Sequence, residues 1–424
     1  MLEVFGGKRF EEEFIVDADK SISHRCAIFS LLTDGENIIK NYLRAEDTLN
    51  SLEIAKKLGA KVEDNGEVIK IKSTSIQEAD DILYCGNSGT TIRIYMGLLS
   101  SIDGFFVLTG DKYLRKRPMK RVTAPLRKIG AKIDGRDDSN LAPIAIRGGK
   151  LKAFDYESSI ASAQVKSALI LAALNSDGVC FYKEPFLSRD HTERMLKGMG
   201  ANIEISEKIK IHPLKKRLNP LHIEVPNDPS SAFFFAVAAA ITKSVAIIKN
   251  VTLNPTRIEA YKILEKMGTK IEYILKEDKY EPIGDIIVEG KELKGVMVDK
   301  NIPWLIDEIP ALAIAMALAK GKSVVKNAKE LRVKESDRIK AVVENLNRCG
   351  IEAVEKEDGF EIIGSIPKKA KISSFGDHRI AMSFSILGMI NGIVIDEEKS
   401  INTSFPNFFK LFGKIAEFKV VNAN

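Results

Sequence analysis

Six short stretches of the chain mix Lys or Arg with Ser, Thr, Asn, Gly or His, namely DKSISHR (19–25), GNSGTTIR (86–93), SAQVKS (162–167), SRDHTER (188–194), RVKESDR (332–338) and GDHR (376–379), and a seventh, LRKRPMKR (114–121), is a run of cations. Several open a helix, and a single such patch reads as a cap, with Ser, Thr or Asn satisfying the free N–H groups and an arginine left in solvent. Taken together they read as a site for an anion. The N–H groups and dipole of a helix N-terminus attract negative charge. The turn Gly86-Asn87-Ser88-Gly89 lets backbone approach a ligand closely. Guanidinium forks suit the paired oxygens of carboxylate and phosphate. A P-loop is excluded, because no G-x-x-x-x-G-K-[ST] occurs and Gly6-Gly7-Lys8 lacks that spacing. A ligand carrying both phosphate and carboxylate fits this set of cations.

Proton-transfer groups stand beside the cations. Asp307-Glu308 precedes the apolar run Ile309–Ala319, where the pair either offsets a helix dipole or serves as a base. Glu335 lies between Lys334 and Arg338, which favours its ionised form, whether as a surface ion pair or as an acid–base group. His378 lies between Asp377 and Arg379 and could move a proton near neutral pH. Metal chemistry is not expected. The five histidines form no H-E-x-x-H pair or Cys/His cluster, and Cys26, Cys85, Cys180 and Cys349 are scattered without ligand or redox spacing.

The elements that must position these groups show an internal repeat. LEIAKKLGAKV (52–62), TAPLRKIGAKI (123–133), ERMLKGMGANI (193–203), YKILEKMGTKI (261–271) and VENLNRCGIEA (343–353) share one pattern. Apolar residues recur as on one helix face, a glycine closes the helix, and an alternating strand begins. The glycines Gly59, Gly130, Gly200, Gly268 and Gly350 are spaced by 71, 70, 68 and 82 residues. A degenerate sixth copy is expected at Phe408–Val421. A hairpin follows the first copy, with Asn65-Gly66 as its turn. Six copies in 424 residues give about 71 residues each, too long for a solenoid repeat and too short for a domain with a generous core. Packing three to a domain is the expectation, in an α/β or α+β fold.

Composition removes other classes. Apolar residues make up 45% and charged residues 29%, ordinary for a globular chain. The longest apolar window, Ala232 to Ile241, is too short for a membrane span. The start, Met-Leu-Glu-Val-Phe, has no basic segment before an apolar run, so a cytoplasmic location is expected. The net charge of +6 suits an anionic small substrate without requiring nucleic acid.

The patches, in order and over nearly the whole chain to TSFPNFF (403–409), resemble the 5-enolpyruvylshikimate-3-phosphate synthase family, the 3-phosphoshikimate 1-carboxyvinyltransferases. GNSGTTIR, LRKRPM, SAQVKSA, SRDHTERML, DEIP, ELRVKESDRI and GDHRIAM all have counterparts there. The resemblance implies two domains, each of three β-α-β-α-β-β units with pseudo-threefold symmetry, and a ligand cleft between them. One domain would span 18–228, mainly binding shikimate 3-phosphate. The other would comprise 1–17 and 229–424, with chain crossings near 17–18 and 227–228. The implied reaction moves the enolpyruvyl group of phosphoenolpyruvate to the 5-hydroxyl of shikimate 3-phosphate and releases phosphate, by addition then elimination. It needs no cofactor and no metal.

Roles carry over by position in that family. Lys20 would touch both ligands and assist proton transfer. Ser21, Arg25, Ser162, Gln164, Ser188, Arg189 and Lys334 would hold shikimate 3-phosphate, and Asp307 would both contact it and take the 5-hydroxyl proton. Asn87, Gly89, Thr90, Arg117, Gln164, Arg338 and Arg379 would hold phosphoenolpyruvate. Glu335 would protonate its methylene, with His378 in support. Glycine at 89 implies sensitivity to glyphosate as a phosphoenolpyruvate competitor. The chain departs from many members at Asp17-Ala18, Ile94, Glu330 and Thr403, so no cation is assigned from the last segment, although Lys410 is near.

Three rivals predict different features. The sister enolpyruvyl transferase acting on UDP-N-acetylglucosamine uses a loop cysteine and an Ala-Lys-Asn start, whereas this chain begins its motif Asp-Lys-Ser and has no cysteine near Arg117. A nucleic-acid or other anion-binding module predicts aromatics interleaved with cations, and aromatics are only 7%. A purely structural repeat leaves Asp307, Glu335 and His378 beside cations for no reason. The expected partners are therefore the two small substrates alone, with no nucleic acid and no membrane. No apolar seam suggests association, so a monomer is expected.

Overall fold

The computed structural model describes residues 1–421, the side chain of Thr403 excepted. Among these residues the strands form six sheets of four strands each, and all six share one plan. In the first complete copy the short edge strand His222–Glu224 runs parallel to Glu36–Lys40, which pairs antiparallel with Val68–Lys72, which pairs antiparallel with Lys61–Asp64. The last copy is closed by the beginning of the chain. Leu2–Gly7 lies between Ile393–Ile395 and Ala416–Val420, with Leu2 opposite both Ile395 and Val420. The degenerate copy expected at Phe408–Val421 is thus real: helix Phe408–Phe412, then strand Ala416–Val420.

Each copy has two kinds of helix. The outer kind includes Glu46–Lys57 and Arg338–Arg348, with one apolar stripe and a polar face. The five repeat glycines that follow such helices all have positive φ, between 74° and 117°. That backbone region disfavours a Cβ, which is why glycine recurs there. The inner kind is buried on almost every side: Lys20–Phe29, Gly89–Ser100, Ala163–Ala173, Pro229–Thr242, Ile309–Ala317 and His378–Asn391. Close approach is built into them. A Cβ on Gly97 would lie 2.2 Å from the carbonyl oxygen of Ala168, so helices Gly89–Ser100 and Ala163–Ala173 touch backbone to backbone.

The chain divides into two compact units, each with its own core. One comprises Met1–Asp17, Pro226–Asp278 and Pro282–Asn424; the other comprises Ala18–Val225 and Lys279–Glu281. The division falls just before the crossing expected at 227–228. The first unit's core includes Phe14 stacked on Phe235 at 4.4 Å, with Phe405, Phe408 and Phe412. The second unit's core is aliphatic, built on Ile22, Leu52, Ile92, Leu126, Leu169 and Leu196. No helix among the described residues is long and apolar enough to cross a membrane.

Candidate active site

In the unit of residues 18–225, the first turns of the three inner helices carry most of the hydroxyl and amide groups singled out above. Asp19 caps the first, its carboxylate accepting from the Ile22 N–H at 2.9 Å. Lys20 opens that helix, with Nζ 2.5 Å from Asp47 Oδ2. Ser21 follows, half-buried. Arg25, one turn on, is almost fully buried. Its Nε donates to Thr192 Oγ1 (2.8 Å), Nη2 to Ser167 Oγ (3.0 Å) and Nη1 to the Ser21 carbonyl (2.9 Å), so three helices fix one guanidinium. Beneath this start lies His24, bonded through Nδ1 to Ser51 Oγ at 2.8 Å. Burial pushes His24 down to about 3, so the ring is neutral.

The second and third helix starts meet through side chains. Ser88 caps Gly89–Ser100 by accepting from the Thr91 N–H at 3.1 Å. Gln164 donates through Nε2 to Thr90 Oγ1 (3.1 Å) and accepts through Oε1 from Arg93 Nη1 (2.6 Å). Arg117 donates to the Asn87 carbonyl at 3.3 Å. A Cβ on Gly89 would lie 3.1 Å from both Cζ and Nη2 of Arg117 and 3.2 Å from Arg93 Nη1. Glycine there is what lets two guanidiniums lie against the backbone of a helix N-terminus. Ser162 precedes the third helix and makes no capping bond with its hydroxyl. Ser188 is buried and its hydroxyl is bonded to Glu184, while Arg189 beside it is half-buried. His191, which opens helix His191–Gly198, pairs through Nδ1 with Glu281 Oε1 at 2.6 Å, both side chains being buried.

The other unit carries the carboxylates. Arg338 is 1% exposed and is held by three of them. Its Nε donates to Asp377 Oδ2 (2.8 Å), Nη2 to Glu335 Oε2 (2.7 Å), and Nη1 lies 3.5 Å from Asp307 Oδ1. Arg379 donates to the Asp307 carbonyl at 3.1 Å and brings its Nε to 3.7 Å from Asp307 Oδ1. Asp307 therefore sits between two arginines. Its neighbour Glu308 is buried instead and bonded to Ser230, whose hydroxyl Arg257 also reaches, at 3.0 Å. Of the pair, Asp307 faces the cations and Glu308 braces helix Pro229–Thr242.

The charges in this group follow from their surroundings. Burial opposes ionisation of Asp377, but Arg338 and His378 more than offset it and hold the carboxyl below its ordinary range. The same burial opposes the charge on Arg338, and Asp377 and Glu335 outweigh it, keeping the guanidinium charged. Burial pushes the Lys334 ammonium down, against the opposing pull of Glu330, Asp307 and Glu335. Lys334 Nζ lies 3.4 Å from Glu330, which is the place of that departure in the structure. His378 is the first residue of its helix and nearly buried.

Each unit thus gathers its own share of the expected residues. Lys20, Ser21, Arg25, Asn87, Gly89, Thr90, Arg117, Ser162, Gln164, Ser188 and Arg189 fall in one unit; Asp307, Lys334, Glu335, Arg338, His378 and Arg379 fall in the other. Lys410 is exposed on helix Phe408–Phe412, and the Thr403 side chain lies outside the described residues. Ile94 is buried in the core, and Asp17 bonds to Asn407. Sequence reading passed over Arg93 and Asp377, although both stand inside quoted motifs. Arg93 follows Gly89 by four residues, the spacing that brings a side chain back to its own helix start.

The EPSP synthase (3-phosphoshikimate 1-carboxyvinyltransferase) family model matches residues 4–412. The chain belongs to that family. It is 63% identical over 404 residues to the 3-phosphoshikimate 1-carboxyvinyltransferase of Sulfurimonas denitrificans, covering 95% of this chain and 94% of the relative. Identity to that of Campylobacter fetus is also 63%, covering 94% and 95%. A solved EPSP synthase from Acinetobacter baumannii superposes with a TM-score of 0.88 at 37% identity, over 99% of both chains. The family's reaction is enolpyruvyl transfer to shikimate 3-phosphate in aromatic amino acid biosynthesis, and transfer to UDP-N-acetylglucosamine is not favoured.

Proposed function

We propose that the chain carries out this transfer with its two groups of residues dividing the work. Lys20, Ser21, Arg25, Ser162, Gln164, Ser188 and Arg189 hold shikimate 3-phosphate, with Lys334 from the other group. Asn87, Gly89, Thr90, Arg117 and Gln164 form the phosphoenolpyruvate pocket, where Arg93 supports Gln164 and flanks Arg117. Arg338 and Arg379 grip the carboxylate and phosphate of phosphoenolpyruvate, and Lys20 touches both substrates. Helix N-termini and fixed guanidiniums aimed at charged oxygens supply electrostatic stabilisation without reorganisation.

In the addition, Asp307 takes the proton of the 5-hydroxyl as its oxygen bonds to C2 of phosphoenolpyruvate. Glu335, protonated once the anion of phosphoenolpyruvate takes Arg338 from it, gives a proton to C3, with His378 in support. In the elimination a C3 proton returns to Glu335, the C2=C3 bond re-forms as the C2–O bond to phosphate breaks, and the leaving phosphate takes the proton that Asp307 holds. Positioned acid–base groups contribute about 10²–10⁴-fold each. The observation that supports this reading most is the convergence of Arg338 and Arg379 on Asp307, with Glu335 paired to Arg338. The substrates are small molecules, and the chain acts as a monomer in the cytoplasm.

The test is phosphate release from phosphoenolpyruvate with shikimate 3-phosphate or, separately, UDP-N-acetylglucosamine as acceptor. Release should need shikimate 3-phosphate and fall by at least ~10²-fold in Lys20→Ala and Asp307→Ala, with folding intact. Release with only the nucleotide sugar, or variants as active as the parent, would overturn the assignment.

A further inference from the structure

We propose that Glu184 and Lys166, which no step above uses, are positioning residues that set the affinity for shikimate 3-phosphate by fixing Ser188. Glu184 follows strand Cys180–Lys183, and Lys166 lies one turn after Ser162 on helix Ala163–Ala173. Their ion pair is 2.9 Å long, with side chains only 6% and 0% exposed. Between them they hold every polar group of Ser188. Glu184 Oε1 accepts from the Ser188 N–H at 2.7 Å. The two carboxylate oxygens lie 3.0 and 2.9 Å from the Ser188 hydroxyl. Lys166 Nζ donates to the Ser188 carbonyl at 3.0 Å. Apolar packing contributes little to placing the loop, since Phe186 and Leu187, just before Ser188, are 72% and 45% exposed.

Charge explains why the pair is an ion pair. A lone Glu184 carboxylate would repel a phosphate arriving at Ser188 and Arg189. Lys166 offsets that charge; it also lies 2.8 Å from Glu193, whose carboxyl burial pushes up. Burial opposes the Lys166 charge, and Glu193 and Glu184 more than restore it. Lys166 also shares a helix with Gln164 and follows Ser162 at its start, so one buried cation ties the Ser188 loop to the helix start that carries two other substrate contacts.

This inference rests on the assignment of Ser188 to shikimate 3-phosphate, and the experiment separates the two. Steady-state phosphate release is measured for Glu184→Ala, Glu184→Gln, Glu184→Asp and Ser188→Ala, varying each substrate in turn. Glu184→Ala should raise KM for shikimate 3-phosphate about tenfold, leaving KM for phosphoenolpyruvate and kcat within about twofold. Glu184→Gln, which keeps an acceptor of the same length, should restore most of that loss. If Glu184→Ala does not fold, Glu184→Asp carries the test, with a selective rise of at least ~3-fold expected because the shorter side chain cannot span Lys166 and Ser188. Ser188→Ala raising that KM while no Glu184 variant does would overturn the positioning role alone. An unchanged KM in Ser188→Ala would overturn the Ser188 assignment and the inference with it. A fall in kcat with both KM values rising together would mark the pair as merely structural.

Discussion

Asp377→Asn tests whether Arg338 is organised by a buried carboxylate. Asp377 is fully buried and Arg338 is 1% exposed, joined by contacts of 2.8 and 3.3 Å. Removing one partner of a buried pair costs ~3–5 kcal/mol, because the remaining charge is left uncompensated. Two features place this case at the low end. Asparagine keeps an oxygen to cap helix His378–Asn391 at the Arg379 N–H, and Arg338 keeps Glu335 at 2.7 Å. The expected loss is therefore ~3 kcal/mol. For a unit of roughly 200 residues, this lowers Tm by about 6–12 °C. The sign with pH is fixed by Asp377 itself, whose carboxyl is held below its ordinary range in the native state. Between that native value and ~3.9, the unfolded chain binds more protons, so this stabilisation is complete above the window and lost as pH falls through it. The gap in stability between parent and variant should close below about pH 4. Phosphate release at pH 7 should also fall at least ~10-fold, since a misplaced guanidinium at a reacting site can cost ~10². Thermal unfolding followed by circular dichroism, with parallel turnover, reads all three. A folded Asp377→Asn protein with Tm within ~2 °C of the parent would refute the reasoning.

Gly89→Ala places a Cβ 3.1 Å from the Arg117 guanidinium, so that group must move by a few tenths of an ångström. KM for phosphoenolpyruvate should rise about 5–10-fold, near 1 kcal/mol, while KM for shikimate 3-phosphate stays within twofold. Glyphosate should inhibit the parent competitively with phosphoenolpyruvate and inhibit Gly89→Ala less; an inhibition curve flat into the millimolar range in the parent would sink this. His24→Gln should flatten the acid limb of stability. The native ring resists protonation down to about 3 while the unfolded ring protonates near 6.5, so the parent loses up to ~1.4 kcal/mol per pH unit as pH falls between those values. Urea midpoints measured from pH 7 to 4.5 with equal slopes in the two proteins would refute it.

The repeat was legible because its signal is local. Gly59, Gly130, Gly200, Gly268 and Gly350 each end a helix whose apolar face lies in the preceding two turns, and all sit at positive φ. Patterns confined to a dozen residues survive in the sequence alone. The closing strand Leu2–Gly7 was not legible as part of the last copy, because its partners lie almost 400 residues away. The same distance hides the site's supports. Nothing near Glu184 in sequence signals that it meets Lys166, and Glu308 reads like its neighbour Asp307 until Ser230 and Arg257 come up beside it. Asp377 stood in the GDHR motif without a role, because its grip on Arg338 spans 39 residues. Motifs mark where functional groups begin, and burial alone decides which carboxylate braces and which one faces a ligand.

The two units share one scaffold but differ in the caps of two of their three inner helices. A helix N-terminus carries roughly half a positive charge, which a carboxylate cap consumes and a hydroxyl cap leaves available. In the unit of 18–225, Lys20–Phe29 begins at Asp19, but Gly89–Ser100 and Ala163–Ala173 begin at the neutral Ser88 and Ser162, and the side chains neighbouring these two are Arg93, Arg117 and Gln164. That arrangement keeps the dipoles free to act on the anion of a ligand. In the other unit, the three inner helices begin at Asp228, Glu308 and Asp377. Two of those carboxylates also hold an arginine: Asp228 holds Arg257 at 2.9 Å and Asp377 holds Arg338 at 2.8 Å. The dipole is spent there on fixing the carboxylate, and the carboxylate on fixing the guanidinium. A cation immobilised in this way needs little reorganisation when a charged oxygen develops beside it, which is where preorganised electrostatics lowers a barrier most. Replacing Ser88 with Asp should therefore weaken anion binding in its unit, because a carboxylate at that helix start repels the ligand's anion; equilibrium binding of phosphoenolpyruvate would read the loss, and a melting curve would read the separate cost of a charge at a site only 2% exposed.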